Sequence, residues 1–231
     1  MNSLKRTARV SGLLYLVLAI TGAYGILYVP SQLIVENDAT QTAANILNHE
    51  FFFRSGILAN LIGQTSFLFV GLSLYKLFEN VSQTLSRMLL ILVTVSVPIA
   101  FFIIFNQLHA LWLMKESFVI DPAQSEFLAN SFMHQFQNGN LVIGIFWGLW
   151  LIPFGLLSCK SGFIPKVIGA LLVLGGLSYL MDAFTFVLLP DLEQYTAIGV
   201  AICSSIAEIS VLLWLLIVGV KKPKLKSIQT A

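Results

Sequence analysis

The chain has 231 residues, of which 57% are hydrophobic and only 10% carry a charge. A soluble domain carries about 25% charged residues, so the composition excludes an ordinary water-soluble fold and points to a protein that crosses a bilayer several times. The formal net charge of +2 decides little, and the absence of a basic stripe with interleaved aromatics argues against nucleic-acid binding.

The first apolar run is Val10 to Val29, behind a basic start with Lys5, Arg6 and Arg9. It is longer than a signal-peptide core and has no convincing small-residue cleavage site, so it reads as a first span ended by Pro30. Residues 30–54 are polar, but Ala43, Ala44, Ile46 and Leu47 recur at helical spacing and predict a short interfacial helix. The second span is predicted over about 55–77 and the third over 88–114, with a kink at Pro98. Residues 115–138 form a polar connection in which Asp121-Pro122 looks like a helix start. The fourth span covers 139–159 and is interrupted by Pro153. The fifth covers 167–189 and the sixth 196–220, followed by the basic tail Lys221, Lys222, Lys224 and Lys226. Each run is long enough to cross about 30 Å of hydrocarbon. The expected architecture is therefore an all-α polytopic membrane helix bundle, one integral-membrane domain over 1–231 with six transmembrane helices.

Six spans put both termini on one side. The two termini and the 2–3 and 4–5 turns hold eleven of the thirteen Lys and Arg residues; the other connections hold only Arg54 and Lys115. The positive-inside rule then makes both termini cytoplasmic. The basic tail reads mainly as a flank of the last span, with anionic lipid as a second reading. A faint internal echo pairs Arg9-Val10-x-Gly12 with Lys166-Val167-x-Gly169, but four matched positions are thin support for a duplication.

Polar groups inside the spans carry the functional signal. Asp182 lies in the fifth span, roughly 12 Å from its outer end at 1.5 Å per residue. Glu208 lies near the middle of the sixth. Uncompensated charge in hydrocarbon costs several kcal/mol, so both acids are candidate site residues. Ser178 and Thr185 flank Asp182 at helical spacing, and Ser204 and Ser205 flank Glu208. The outer halves of the other spans add Asn60 and Gln64, then Asn106 and His109, and the entrance to span four adds His134, Gln137, Asn138 and Asn140. Together they predict an outward-facing polar site, with Asp182, Glu208, His134, His109, Asn106, Asn60, Gln64 and Asn138 as its candidate ligand-binding residues. The amides also suit interhelical hydrogen bonds worth about 1 kcal/mol each, and the histidines suit a wet interface.

Catalytic signatures are missing: there is no HExxH, GxSxG or Walker loop. No catalytic residue can be singled out, no cofactor is expected, and no metal site either; His109, His134, Asp182 and Glu208 are the weak metal candidates, linked only by shared depth. Cys159 and Cys203 fall at different predicted depths, which argues against a disulfide, and match no zinc spacing.

Several stretches resemble the DUF4386 family of bacterial polytopic membrane proteins of unknown function. They are residues 8–16 (ARVSGLLYL), 43–47 (AANIL), 53–57 (FRSGI), 161–169 (SGFIPKVIG), 176–182 (GLSYLMD) and 207–210 (AEIS). The resemblance covers nearly the whole chain. It implies a bacterial plasma-membrane protein, and it places His134, Asp182 and Glu208, though not His109, on recurrent polar positions. It implies no activity. Three functions stay open: a binding or transport protein for a small ligand, cation or proton; an intramembrane enzyme using the His/Asp/Glu cluster; and a structural or regulatory subunit in the lipid bilayer.

Overall fold

The computed structural model describes residues 2–36, 38–115 and 121–220. The basic tail, and with it the lipid reading of Lys221 to Lys226, lies outside the described residues. Among the described residues the fold is all-helical: α1 (Asn2–Gly22), α2 (Val29–Leu33), α3 (Ala39–Asn48), α4 (Glu50–Phe78), α5 (Gln83–Lys115), α6 (Pro122–Ser161), α7 (Lys166–Leu188) and α8 (Glu193–Leu213). A π-helical turn, Ala23–Tyr28, joins α1 to α2, and another, Trp214–Val218, follows α8. Six helical stretches are long and apolar enough to cross a membrane: Ser3–Leu33, Glu50–Phe78, Gln83–Lys115, Gln124–Ser161, Lys166–Leu188 and Pro190–Val218. They match the six predicted spans. Their outer faces bear Ile20, Leu58, Phe102, Phe184 and Ile202 in exposed positions, as a lipid environment requires.

Three local details differ from the sequence expectation. Pro30 does not end the first helix: the chain stays helical through the π turn to Leu33, because the one backbone donor that proline removes there is replaced by the side chain of Asn60. Residues 122–138 are the first turns of α6, so the helix that starts at Asp121-Pro122, as the sequence suggests, runs without a break into the fourth span. No glycine or second proline interrupts them before Gly139, and helix propagation is favourable once started. Pro153 likewise lies inside α6, and Pro98 inside α5. The interfacial helix forms as expected, but its buried face is Thr42, Ala43 and Ile46, with Leu47 exposed. Asp38 caps it, its carboxylate accepting from the Gln41 amide at 2.8 Å. Thr42 and Asn45 tie it to Val35 and to the Leu33 carbonyl.

The chain forms two compact units. The first draws on Met1–Leu13, Gly71–Ile91 and Gly148–Ala231. Its centre is aromatic: Phe78 packs against Phe154 and Phe163 at 5.9 and 5.6 Å, and Trp214 Nε1 donates to the Phe163 carbonyl at 3.1 Å. Within it α6 and α7 touch through two glycine pairs seven residues apart on each helix. A Cβ on Gly148 would stand 2.6 Å from the Gly176 carbonyl oxygen, and one on Gly155 2.5 Å from that of Gly169. Small residues at such contacts let backbones approach where no hydrophobic effect drives helices together. Gly175, on the neighbouring face, does the same for α8, where a Cβ would meet Ser204 and Ala207. The glycines of the faint echo do not share a role: Gly12 packs on Leu216, Gly169 on α6.

The second unit draws on Leu14–Val70 and Leu92–Trp147. Val29, Ile46, Phe53, Ile57, Ile103, Ile104, Leu111, Met133 and Phe136 form its apolar core. Glu50 accepts from Arg54 Nε at 2.7 Å and from Lys115 Nζ at 3.0 Å. These are the two cations that the charge count assigns to the side opposite the termini, and one carboxylate pairs with both.

Candidate functional site

The first unit gathers its buried polar groups between α7 and α8. Thr196, Val200, Ser204 and Glu208 recur every four residues along one face of α8, and Tyr179, Asp182 and Thr185 along one face of α7. Asp182 is buried. Its Oδ1 accepts from Thr196 Oγ1 at 2.8 Å, and Thr196 Oγ1 lies 2.7 Å from Thr185 Oγ1. Each hydroxyl also lies against backbone, Thr185 Oγ1 at 2.9 Å from the Asp182 carbonyl and Thr196 Oγ1 at 3.0 Å from that of Glu193. Thr185, Thr196 and Asp182 form one hydrogen-bonded chain.

One helical turn from Asp182, the Tyr179 hydroxyl is hydrogen-bonded to both Ser204 and Glu208, with the Asp182 charge near enough to act on it. Glu208 is half-buried and Ser204 fully buried, the latter also donating to the Val200 carbonyl at 2.7 Å. Tyr179 and Asp182 thus lie one turn apart on one face of α7, each with its own partners on α8, and together they make a polar track. From Thr196 to Glu208 that track rises about 18 Å along α8. It begins one turn from the polar Pro190–Leu192 segment and runs into an otherwise apolar helix pair.

The flanking residues divide. Thr185 and Ser204 join the track. Ser178 instead donates to the Gly175 carbonyl, and Ser205 is exposed. Sequence reasoning missed Tyr179 and Thr196. Tyr179 stood three residues before Asp182, and its ring reads as apolar until its hydroxyl has a partner. Thr196 sits in the first turn of α8, where it reads as a helix-start residue.

The remaining predicted residues belong to the second unit. Asn60 and Gln64 are buried on one face of α4. Asn60 Nδ2 donates to the Gly25 carbonyl and to Gln107 Oε1, both at 3.2 Å. The first bond has a backbone cause. In the π turn the amide of residue i+5 faces carbonyl i, and Val29 N–H accordingly goes to the Tyr24 carbonyl. The next rung would run from residue 30 to Gly25, but residue 30 is proline and has no N–H. Asn60 supplies the missing donor. Gly25 makes room for it, since a Cβ there would lie 2.7 Å from both Asn60 Cγ and the Gly56 carbonyl oxygen. Asn60 Oδ1 and Gln64 Oε1 are buried without a hydrogen-bond partner among the described residues.

Asn106, predicted to face inward with His109, turns its amide back on its own helix, to the Phe102 and Ile103 carbonyls. Its neighbour Gln107, missed in the sequence, is the one that reaches Asn60. His109 stacks on Phe132 at 5.2 Å and meets the Phe105 edge at 4.4 Å. His134 and Asn138 are exposed on α6, on the opposite side from Met133 and Phe136. Among the described residues no three His, Cys, Asp or Glu side chains gather as a metal site. Cys159 and Cys203 are both free.

Six membrane-length helices with a carboxylate–tyrosine track define the class: a multi-pass membrane protein built as a helical bundle. The family described as "Domain of unknown function (DUF4386)" matches residues 10–219, and the chain belongs to that family. No curated protein and no solved structure matches it.

Proposed function

We propose that the protein binds a proton or a small cation at the Asp182–Tyr179–Glu208 track, as a membrane binding or transport protein. One observation carries the reading: Asp182, buried in an apolar span, is hydrogen-bonded across the helix pair to Thr196, on the α8 face that also bears Ser204 and Glu208. A carboxylate in an apolar helix pair is held at lower cost with a proton or a cation beside it than as a bare charge. The hydroxyl chain through Thr196 gives a proton a route from the α7–α8 turn to Asp182, and Tyr179, one turn away, meets Glu208. The site is proposed to open toward the exterior, with both termini cytoplasmic in a bacterial plasma membrane, as the charge bias of the connections requires. His134, His109, Asn106, Asn60, Gln64 and Asn138 are not needed for this reading.

Infrared difference spectra of purified protein across a pH series test it. The expected result is a carboxylic-acid band that is lost or shifted in Asp182→Asn and in Glu208→Gln, and displaced in Tyr179→Phe. Melting curves with sodium, potassium and calcium salts form the second arm, since a bound ion stabilises the native state by mass action. Spectra and ion-dependent melting unchanged in both acid variants would sink the proposal. A reporter fused at the C-terminus tests the orientation, and an exterior C-terminus would overturn that part.

A further inference from the structure

The first turns of α1 divide sharply by face. Ala8, Ser11 and Gly12 are buried, Ser11 against Ser73 at 2.6 Å between hydroxyl oxygens and Gly12 against Leu216. The opposite face carries Lys5, Arg6, Arg9, Val10 and Leu13, all exposed. These five residues line one groove of about 370 Å³. Their spacing makes them a continuous stripe, three cations followed by two apolar side chains. None of the three cations has an ion-pair partner among the described residues, whose two ion pairs both use Glu50. The groove thus has the charge of an anion site and the length of an apolar seat, and it sits where a membrane-length helix leaves its basic end.

We propose that this groove seats one anionic glycerophospholipid. The lipid phosphate is held by Lys5, Arg6 and Arg9, and the start of an acyl chain lies along Val10 and Leu13. Two guanidinium groups suit the choice, since Arg meets phosphate oxygens with paired donors. A free anion would use the cations alone and leave the apolar pair without a role, which favours a lipid. The site does not depend on the proposed function of the carboxylate track.

The experiment is native mass spectrometry of the full chain in detergent, titrated with phosphatidylglycerol or phosphatidylcholine of identical acyl chains. Phosphatidylglycerol is expected to bind as one adduct about 10- to 100-fold more tightly, from the charge term of three basic residues near a lipid phosphate. Arg6→Gln/Arg9→Gln should lower that affinity about tenfold or more, while Arg6→Lys/Arg9→Lys, which keeps the charge and loses the paired donors, should give a smaller loss. Leu13→Ser should weaken phosphatidylglycerol severalfold, and Lys160→Gln/Lys166→Gln should leave it unchanged. All four sets change exposed positions, and an unaltered melting temperature confirms that they fold. Equal affinity for the two lipids would overturn the proposal. So would an equal loss from Lys160→Gln/Lys166→Gln, which marks a diffuse basic field. Full displacement by excess inorganic phosphate, with Leu13→Ser silent, would show a simple anion site and overturn it as well.

Discussion

The two units bury polar groups in opposite ways. Between α7 and α8 the groups are charged or hydroxylic, and each side chain of the track has a partner on the facing helix: Asp182 with Thr196, Tyr179 with Ser204 and Glu208. Around Asn60 the groups are neutral amides, one bond repairs a backbone rung that Pro30 removes, and two carbonyl oxygens are left over. The first arrangement places ionisable groups where apolar residues would have been cheaper, and nothing in the local backbone asks for them. The second answers a backbone need. The difference teaches that a polar residue inside a span marks function only after the backbone's own demands have been met.

The comparison can be broken from either side. The largest effect is expected where the acid-bearing helix is held. Gly176→Leu would drive a side chain into the Gly148 carbonyl, which is backbone and cannot swing away. Overpacking of this kind costs about 3 kcal/mol or more, seen as loss of the monodisperse folded protein on heated size exclusion. A fully folded Gly176→Leu protein would mean that the glycine contact does not set the distance between α6 and α7.

The next effect tests the repair reading of Asn60. Asn60→Ala should destabilise by about 1–3 kcal/mol, because the Gly25 carbonyl and Gln107 Oε1 lose their donor in an apolar setting. In a Pro30→Ala background residue 30 regains its N–H, and the same change should cost less than half as much. The double-mutant cycle is read from melting temperatures. Equal losses in both backgrounds would return Asn60 to the list of functional candidates and erase the contrast between the units.

The smallest effect is at the surface of the second unit. Glu50→Gln removes a carboxylate that Arg54 and Lys115 share, but the three side chains are roughly one-third to one-half exposed. Exposed pairs contribute little and are screened by salt, so the melting point should fall slightly at low salt and not at high salt. A large, salt-independent loss would show that this triad, not the apolar core, holds α4 to α5.

Much of this molecule is legible without coordinates. Asp182 and Glu208 were evident from their cost alone, because the penalty for charge in hydrocarbon needs no partner to be computed. The interfacial helix followed from the spacing of Ala43, Ala44, Ile46 and Leu47, although the packed face turned out to include Thr42 and not Leu47. Asn106 and Gln107 show the limit. They are adjacent, equally polar and equally deep, and periodicity cannot say which of two neighbours about 100° apart meets the facing helix. Ser178 and Tyr179 pose the same problem on α7. The serine fell back on its own helix, while the tyrosine reached across.

The sequence by itself determined the solvent, the six spans and the two costly acids. Each follows from composition and from free energies of transfer that depend on one residue at a time. Only the tertiary structure decided that Tyr179 meets Ser204 and Glu208, that Thr196 bonds Asp182, and that Asn60 completes a turn broken by Pro30. Those are properties of pairs. They depend on how close and at what rotation two helices pack, and that is set at contacts such as Gly148 with Gly176, which no single residue's hydropathy contains.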